Sequence, residues 1–95
     1  MVKISENEFA RICRGIREDR ETICRHNPVG SPDEILLWML LSCLISYLSL
    51  SELETPCFSG LPTAQTYREA IHFVLKDKMS EDFDVENYLR ELVKK

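Results

Sequence analysis

From Ile35 to Ser51 the chain reads ILLWMLLSCLISYLSLS, seventeen residues without a charge in a 95-residue protein of which 29% is Asp, Glu, Lys or Arg. A segment of this kind must span lipid, fill a core or meet another polypeptide. As an α-helix it would rise about 26 Å, short of a hydrocarbon layer of roughly 30 Å. Asp33 and Glu34 precede it and Glu52 and Glu54 follow, with no Lys or Arg nearby to orient a span. The flanks therefore argue against a membrane helix and for one enclosed by protein.

Successive residues about 100° apart place Ser42, Ser46 and Ser49 in one narrow stripe. Trp38, Leu41, Ile45 and Leu48 form one ridge beside it, and Leu36, Leu40, Cys43, Leu44 and Tyr47 another. The apolar arc covers about 260°, where a surface helix needs little more than 100°. Two or three such side chains left in water would forgo roughly 1.5 to 3 kcal/mol each, a large part of the 5 to 15 kcal/mol that holds a small domain together. The segment is therefore expected to be surrounded, either by the chain's own helices or by those together with a second copy packed on the Trp38 ridge or the serine stripe.

The rest of the chain offers helices to do the covering. Ser5 and Glu8 have the spacing of a capping box, and Ile4 and Phe9 stand at the flanking staple positions, so helix 1 is predicted over about 6–26, ending at Asn27-Pro28. Ser31-Pro32-Asp33-Glu34 starts helix 2, predicted over 32–54 and stopped by Thr55-Pro56. Residues 55–63 read as a connector carrying the bulky Phe58 and Leu61. Thr63 caps helix 3 (64–78), and Asp84, with Phe83 and Tyr88 as its staple, caps helix 4 (85–94). No alternating strand pattern or internal repeat occurs. The expected fold is a single all-α domain over 1–95, a four-helix bundle-like arrangement with helix 2 as the buried central helix.

Composition narrows function further. The formal charge is −4, with six basic and five acidic residues before position 31 and six basic against eleven acidic after it, which disfavours a general phosphate-binding role. Arg11, Arg14, Arg17, Arg20 and Arg25 give helix 1 a basic look, but Arg14 with Glu18 and Glu21 with Arg25 stand at i, i+4 and read as a salt-bridged face. Nucleic acid is thus an unfavoured partner. The four cysteines, at 13, 24, 43 and 57, form no CxxC pair, and the N-terminal stretch lacks the apolar core of a secretory signal. The expectation is a cytoplasmic protein with reduced thiols.

Glu69 and His72 have the Glu-x-x-His spacing used by carboxylate-bridged metal bundles. Only one such pair exists, and helical projection turns it away from the apolar face of Tyr67, Ile71 and Val74. It is the basis of an alternative reading as a small metal-binding bundle enzyme; no cofactor or catalytic set is otherwise indicated. Arg20 falls within the stripe of Phe9, Cys13, Ile16 and Ile23, so it either runs its stem over apolar surface, pairs with a carboxylate across the bundle, or meets an anionic group on a partner. The favoured function is a non-catalytic protein-interaction or regulatory module, its own copy among the candidate partners. Trp38, Phe58 and Leu61, with Arg20, are the expected contact residues.

Overall fold

The computed structural model describes residues 2–27, 30–50 and 63–94. Those residues form five helices: α1 (Glu6–Glu18), α2 (Arg20–His26), α3 (Pro32–Tyr47), α4 (Ala64–Leu75) and α5 (Val85–Val93). The described part is all-helical, and its one extended pairing is an isolated parallel bridge between Ile4 and Met79.

Each expected helix start is present, for the expected chemical reason. Ser5, Ser31, Thr63 and Asp84 accept, respectively, from the backbone N–H groups of Glu8, Glu34, Thr66 and Asn87. Each thereby satisfies one of the donors that a helix leaves unpaired at its first turn. Only half of the capping box forms at α1, because Glu8 Oε1 lies 3.1 Å from Arg11 rather than turning back to Ser5. A second α1 donor, the Glu6 N–H, is taken at 3.2 Å by the Glu81 carboxylate, an anion favourably placed at a helix N-terminus.

The two staples converge. Phe9 is fully buried, with its ring 5.2 Å from Phe83 and 5.3 Å from Tyr88, the latter edge-on. Phe83 and Tyr88 meet at 6.0 Å, closing a three-ring cluster in the offset and edge geometries that aromatic quadrupoles favour. Ile4, also fully buried, is clipped in place by its N–H to the Lys78 carbonyl (2.8 Å) and by the Ser80 N–H to its own carbonyl (2.9 Å). The N-termini of α1 and α5 are therefore side by side, with the chain's first residues stitched to the α4–α5 turn.

Three helix boundaries differ from expectation. The single helix over 6–26 is broken at Asp19, whose φ of −98° and ψ of 13° lie off the helical well. The break lets α1 lie on α3 and α5 while α2 contacts α3. α3 stops at Tyr47 instead of running to 54. Ser49 takes the left-handed conformation at φ 54°, its N–H bonds to the Ser46 carbonyl at 3.2 Å, and the Leu50 N–H bonds to the Ile45 carbonyl at 3.1 Å. This is a Schellman motif with serine where glycine is usual. α4 ends at Leu75, three residues early, followed by Asp77 at φ 64°.

α3 packs against all four other helices. Its Leu36, Leu37, Leu40 and Leu44 have no exposed surface, and Leu41 and Leu48 almost none. At its N-terminal half Ile35 and Trp38 share a hollow with Tyr67 of α4, and beyond its C-terminus Leu50 shares one with Phe73 and Val74. α3 and α4 therefore run in the same sense, which excludes a simple up-and-down order for this pair.

The serine at the α3 terminus supplies a direct check. Left-handed backbone costs an L-residue roughly 1 kcal/mol that glycine avoids. Ser49→Gly is expected to raise stability by about 0.5–1 kcal/mol in urea denaturation; a neutral or destabilising result would contradict the terminus described.

Candidate functional site

The buried leucines of α3 occupy one arc of the helix, about 140° wide when residues are placed 100° apart, and Ile35, also buried, lies outside that arc. The opposite arc carries Trp38, Met39, Ser42, Ile45 and Ser46. Trp38 is 42% exposed and Tyr47, at the helix end, 38%. Ser46 is exposed, and Met39, Ser42, Cys43 and Ile45 are half-buried. Among the described residues, the cover of this helix is complete over the leucine arc and partial on the other side, where Met39, Cys43 and Ile45 pack against the edge of the core. Among the described residues that side is exposed at Trp38 and Ser46, and from Ile35 to Leu50 the chain holds no Asp, Glu, Lys, Arg or His.

The open side continues into a trough against α1 and α2. One part is lined by Ile12, Gly15, Ile16, Ile23, Met39 and Cys43, with Arg11 and Asp19 at the rim. The adjoining part is lined by Ile12, Ser42, Cys43, Ser46 and Tyr47. Ile12 and Cys43 belong to both, so the trough follows α3 over most of its length. A methyl group added at Gly15 would meet nothing within 4 Å, so the trough is open there as well. Trp38 borders a separate hollow with Asn27, Glu34, Ile35 and Tyr67.

Of the residues expected to form a contact surface, Trp38 stands at this open face. Phe58 and Leu61 lie outside the described residues, as does Cys57. Arg20 points elsewhere: its Nη1 donates to the carbonyls of Lys94 (3.3 Å) and Val93 (3.5 Å) at the C-terminus of α5. Arg17 joins it, donating to Leu92 (3.2 Å) and to the carbonyls of Glu91 and Lys94. Two cations thus sit where α5 has unpaired acceptors and the negative end of its dipole. The carboxylate expected as one option for Arg20 is replaced by backbone carbonyls, and the role of Arg17 had no sequence signal beyond its charge.

Glu69 and His72 are not brought together. The Glu69 carboxylate accepts from Gln65 at 3.3 Å, one turn back on α4, and His72 Nε2 lies 2.5 Å from Glu86 Oε1 on α5. Arg68 reaches the other oxygen of Glu86 at 3.0 Å, so Glu86 links α4 to α5 through two partners. Both Glu69 and His72 are exposed, as their helical projection implies. Among the described residues no group of three or more His, Cys, Asp or Glu is placed to hold a metal ion, and no helix is long and apolar enough to cross a membrane. The expected pairs Arg14–Glu18 and Glu21–Arg25 are not among the ion pairs of the described residues; the pair that α1 makes is Glu8 with Arg11. His26 Nδ1 bonds to the Thr22 carbonyl at 2.8 Å, in keeping with a histidine at a helix C-terminus.

Cys13, Cys24 and Cys43 are free thiols. Burial, and secondarily the neighbouring Cys43, pushes the Cys13 thiol up to about 12; burial also raises Cys43. Nucleophilic thiolate is therefore suppressed at both. A thiol whose folded value exceeds its unfolded one contributes stability that is complete below the ordinary value of 9.0 and is lost as pH rises towards about 12. At a pH below 9.0, Cys13 of the native protein is expected to resist alkylation by iodoacetamide and to react once urea unfolds the chain. Equal labelling rates in the two states, read by peptide mass spectrometry, would contradict its burial.

Comparison with protein-family models, with curated proteins and with solved structures found no match to this chain.

Proposed function

We propose that this protein is a small non-catalytic interaction or regulatory module, working in the cytoplasm with its thiols reduced, that binds another protein through the open side of α3. The observation that carries the reading is the side of α3 that bears Trp38, Met39, Ser42, Ile45 and Ser46, exposed or half-buried and without a single charged group. Exposed helix faces in soluble proteins ordinarily bear charge, and an uncovered apolar strip marks a contact site. Trp38 is the anchor, since large aromatic groups at the centre of an interface supply a disproportionate share of binding energy. Phe58 and Leu61, expected as contact residues from their size and sequence position, lie outside the described residues.

The bundle with α3 as its buried central rod belongs to the same proposal. The chain's own helices cover the leucine arc, and the bound polypeptide covers the rest. A metal-dependent enzyme built on Glu69 and His72 gains no support from geometry, because each side chain is engaged by a different neighbour.

Ser46 is exposed in the middle of the face, so Ser46→Glu introduces a charge there without disturbing the core. Immobilised wild-type protein is expected to retain a defined polypeptide at physiological ionic strength, and the variant to retain it at least about tenfold less, with an unchanged thermal midpoint. Equal retention by both proteins would overturn the reading.

A further inference from the structure

We infer that the hollow bordered by Trp38 and Tyr67 binds a methylated ammonium group, the cationic head of a quaternary or trimethylated amine, with Glu34 as its counter-charge. The inference is independent of the interaction reading above, since it concerns a pocket and not the polypeptide that α3 meets. The hollow measures about 160 Å³ and is lined by Asn27 just past α2, by Glu34, Ile35 and Trp38 of α3, and by Tyr67 of α4. An apolar cavity of about 150 Å³ accepts a guest the size of benzene. A trimethylammonium head is no larger than that, whereas a nucleotide or a sugar chain needs the several hundred cubic ångströms of an ordinary ligand site.

The chemistry of the lining selects a cation with an apolar skin. Indole and phenol rings attract positive charge to their faces, indole most strongly, and Trp38 and Tyr67 supply one of each. Glu34 adds a formal negative charge, and the lining holds no Lys, Arg or His. Glu34 is in none of the ion pairs of the described residues, and Asp33 adjoins it in the first turn of α3. Together these acids outweigh the partial positive charge at the helix N-terminus. An anion is repelled here, and a bare ammonium would surrender hydrogen bonds to water that aromatic rings do not replace. Methylation removes those N–H groups and keeps the charge. The hollow beside Phe73, which is 56% exposed, makes the contrast: there Lys76 and Lys78 outnumber Asp77, so a cation gains nothing.

Local structure brings these groups together. Glu34 and Trp38 stand one turn apart on the same face of α3, and Ser31 fixes the turn that carries Glu34 by accepting its N–H at 3.3 Å. Gly30, at φ 100°, leaves the carboxylate its room, because a Cβ there would lie 3.0 Å from Glu34 Oε2. Tyr67 sits in the first turns of α4, which runs alongside α3 in the same sense. Glu34 and Tyr67 are half-buried, whereas Trp38, 42% exposed, stands at the mouth. Free quaternary amines and the trimethylated lysines of proteins both carry the group, and the chemistry recognised is common to them.

Trp38 is the single tryptophan of the chain and reports on the site by its emission. The full chain is titrated with choline and with a short peptide carrying trimethyllysine, at an ionic strength held constant with sodium chloride. The controls are the neutral alcohol in which carbon replaces the choline nitrogen and the same peptide with unmodified lysine. Choline is expected to change the emission saturably with a Kd on the order of millimolar, and the neutral alcohol to bind at least about tenfold more weakly. A peptide that binds more tightly than choline assigns the group to a protein, and binding of choline alone assigns it to a free amine. Glu34→Gln and Tyr67→Leu, each shown to be folded by circular dichroism, should weaken choline binding about fivefold or more. Where a variant does not fold, choline against the neutral alcohol on wild type settles the matter. No saturable change with either ammonium up to about a hundredfold the expected constant, equal binding of the neutral alcohol, equal binding of the unmodified peptide, or folded variants that bind as wild type does would overturn the inference. The interaction reading, tested by Ser46→Glu, would stand or fall separately.

Discussion

Six leucines on one side of α3 hold the molecule together. Leu36, Leu37, Leu40, Leu41, Leu44 and Leu48 are each 5% exposed or less, and the helix that carries them touches every other helix. At roughly 1.5 to 3 kcal/mol for each buried side chain of this size, that arc is comparable to the whole stability of a small domain. The remaining elements are arranged to complete it. The break at Asp19 lets α2 contact α3, the ring cluster of Phe9, Phe83 and Tyr88 fixes α1 beside α5, and Arg17 and Arg20 hold the far end of α5 by its carbonyls. Tyr88 reflects the closeness of these contacts: partial desolvation first, then the adjacent Glu6 carboxylate, pushes its phenol above the ordinary value.

Features decided within one helical turn were legible in the sequence. Ser5, Ser31, Thr63 and Asp84 all cap as their positions imply, because a side-chain oxygen three residues before an unpaired N–H needs nothing from the rest of the fold. Features decided by distant parts of the chain were not. Asp19 breaks a helical pattern without Pro or Gly, and Ser49 ends α3 in a conformation that favours glycine. His72 finds Glu86 on another helix rather than Glu69 on its own. Arg20 was conspicuous as a charge within an apolar stripe, yet its acceptors are backbone carbonyls, which no side-chain pattern announces.

The candidate site shows the same division. That α3 is apolar nearly all round is plain from residues 35–50, and so is the size of Trp38. Which part of the circumference the chain itself covers depends on how the other helices pack. Ser42 and Ser46 lie on the side the leucines do not, so the helix has one face for its own core and another, uncharged, that mixes these serines with Trp38, Met39 and Ile45.

Trp38 is the single tryptophan of the chain and stands on that face, so its fluorescence reports directly whether the open side of α3 becomes covered. The protein should show a solvent-exposed, readily quenched emission when dilute, shifting to the blue with falling acrylamide access as it meets its partner. An emission that is already blue and protected in the most dilute sample, or one that stays exposed under every binding condition, would contradict the two-sided role assigned to α3.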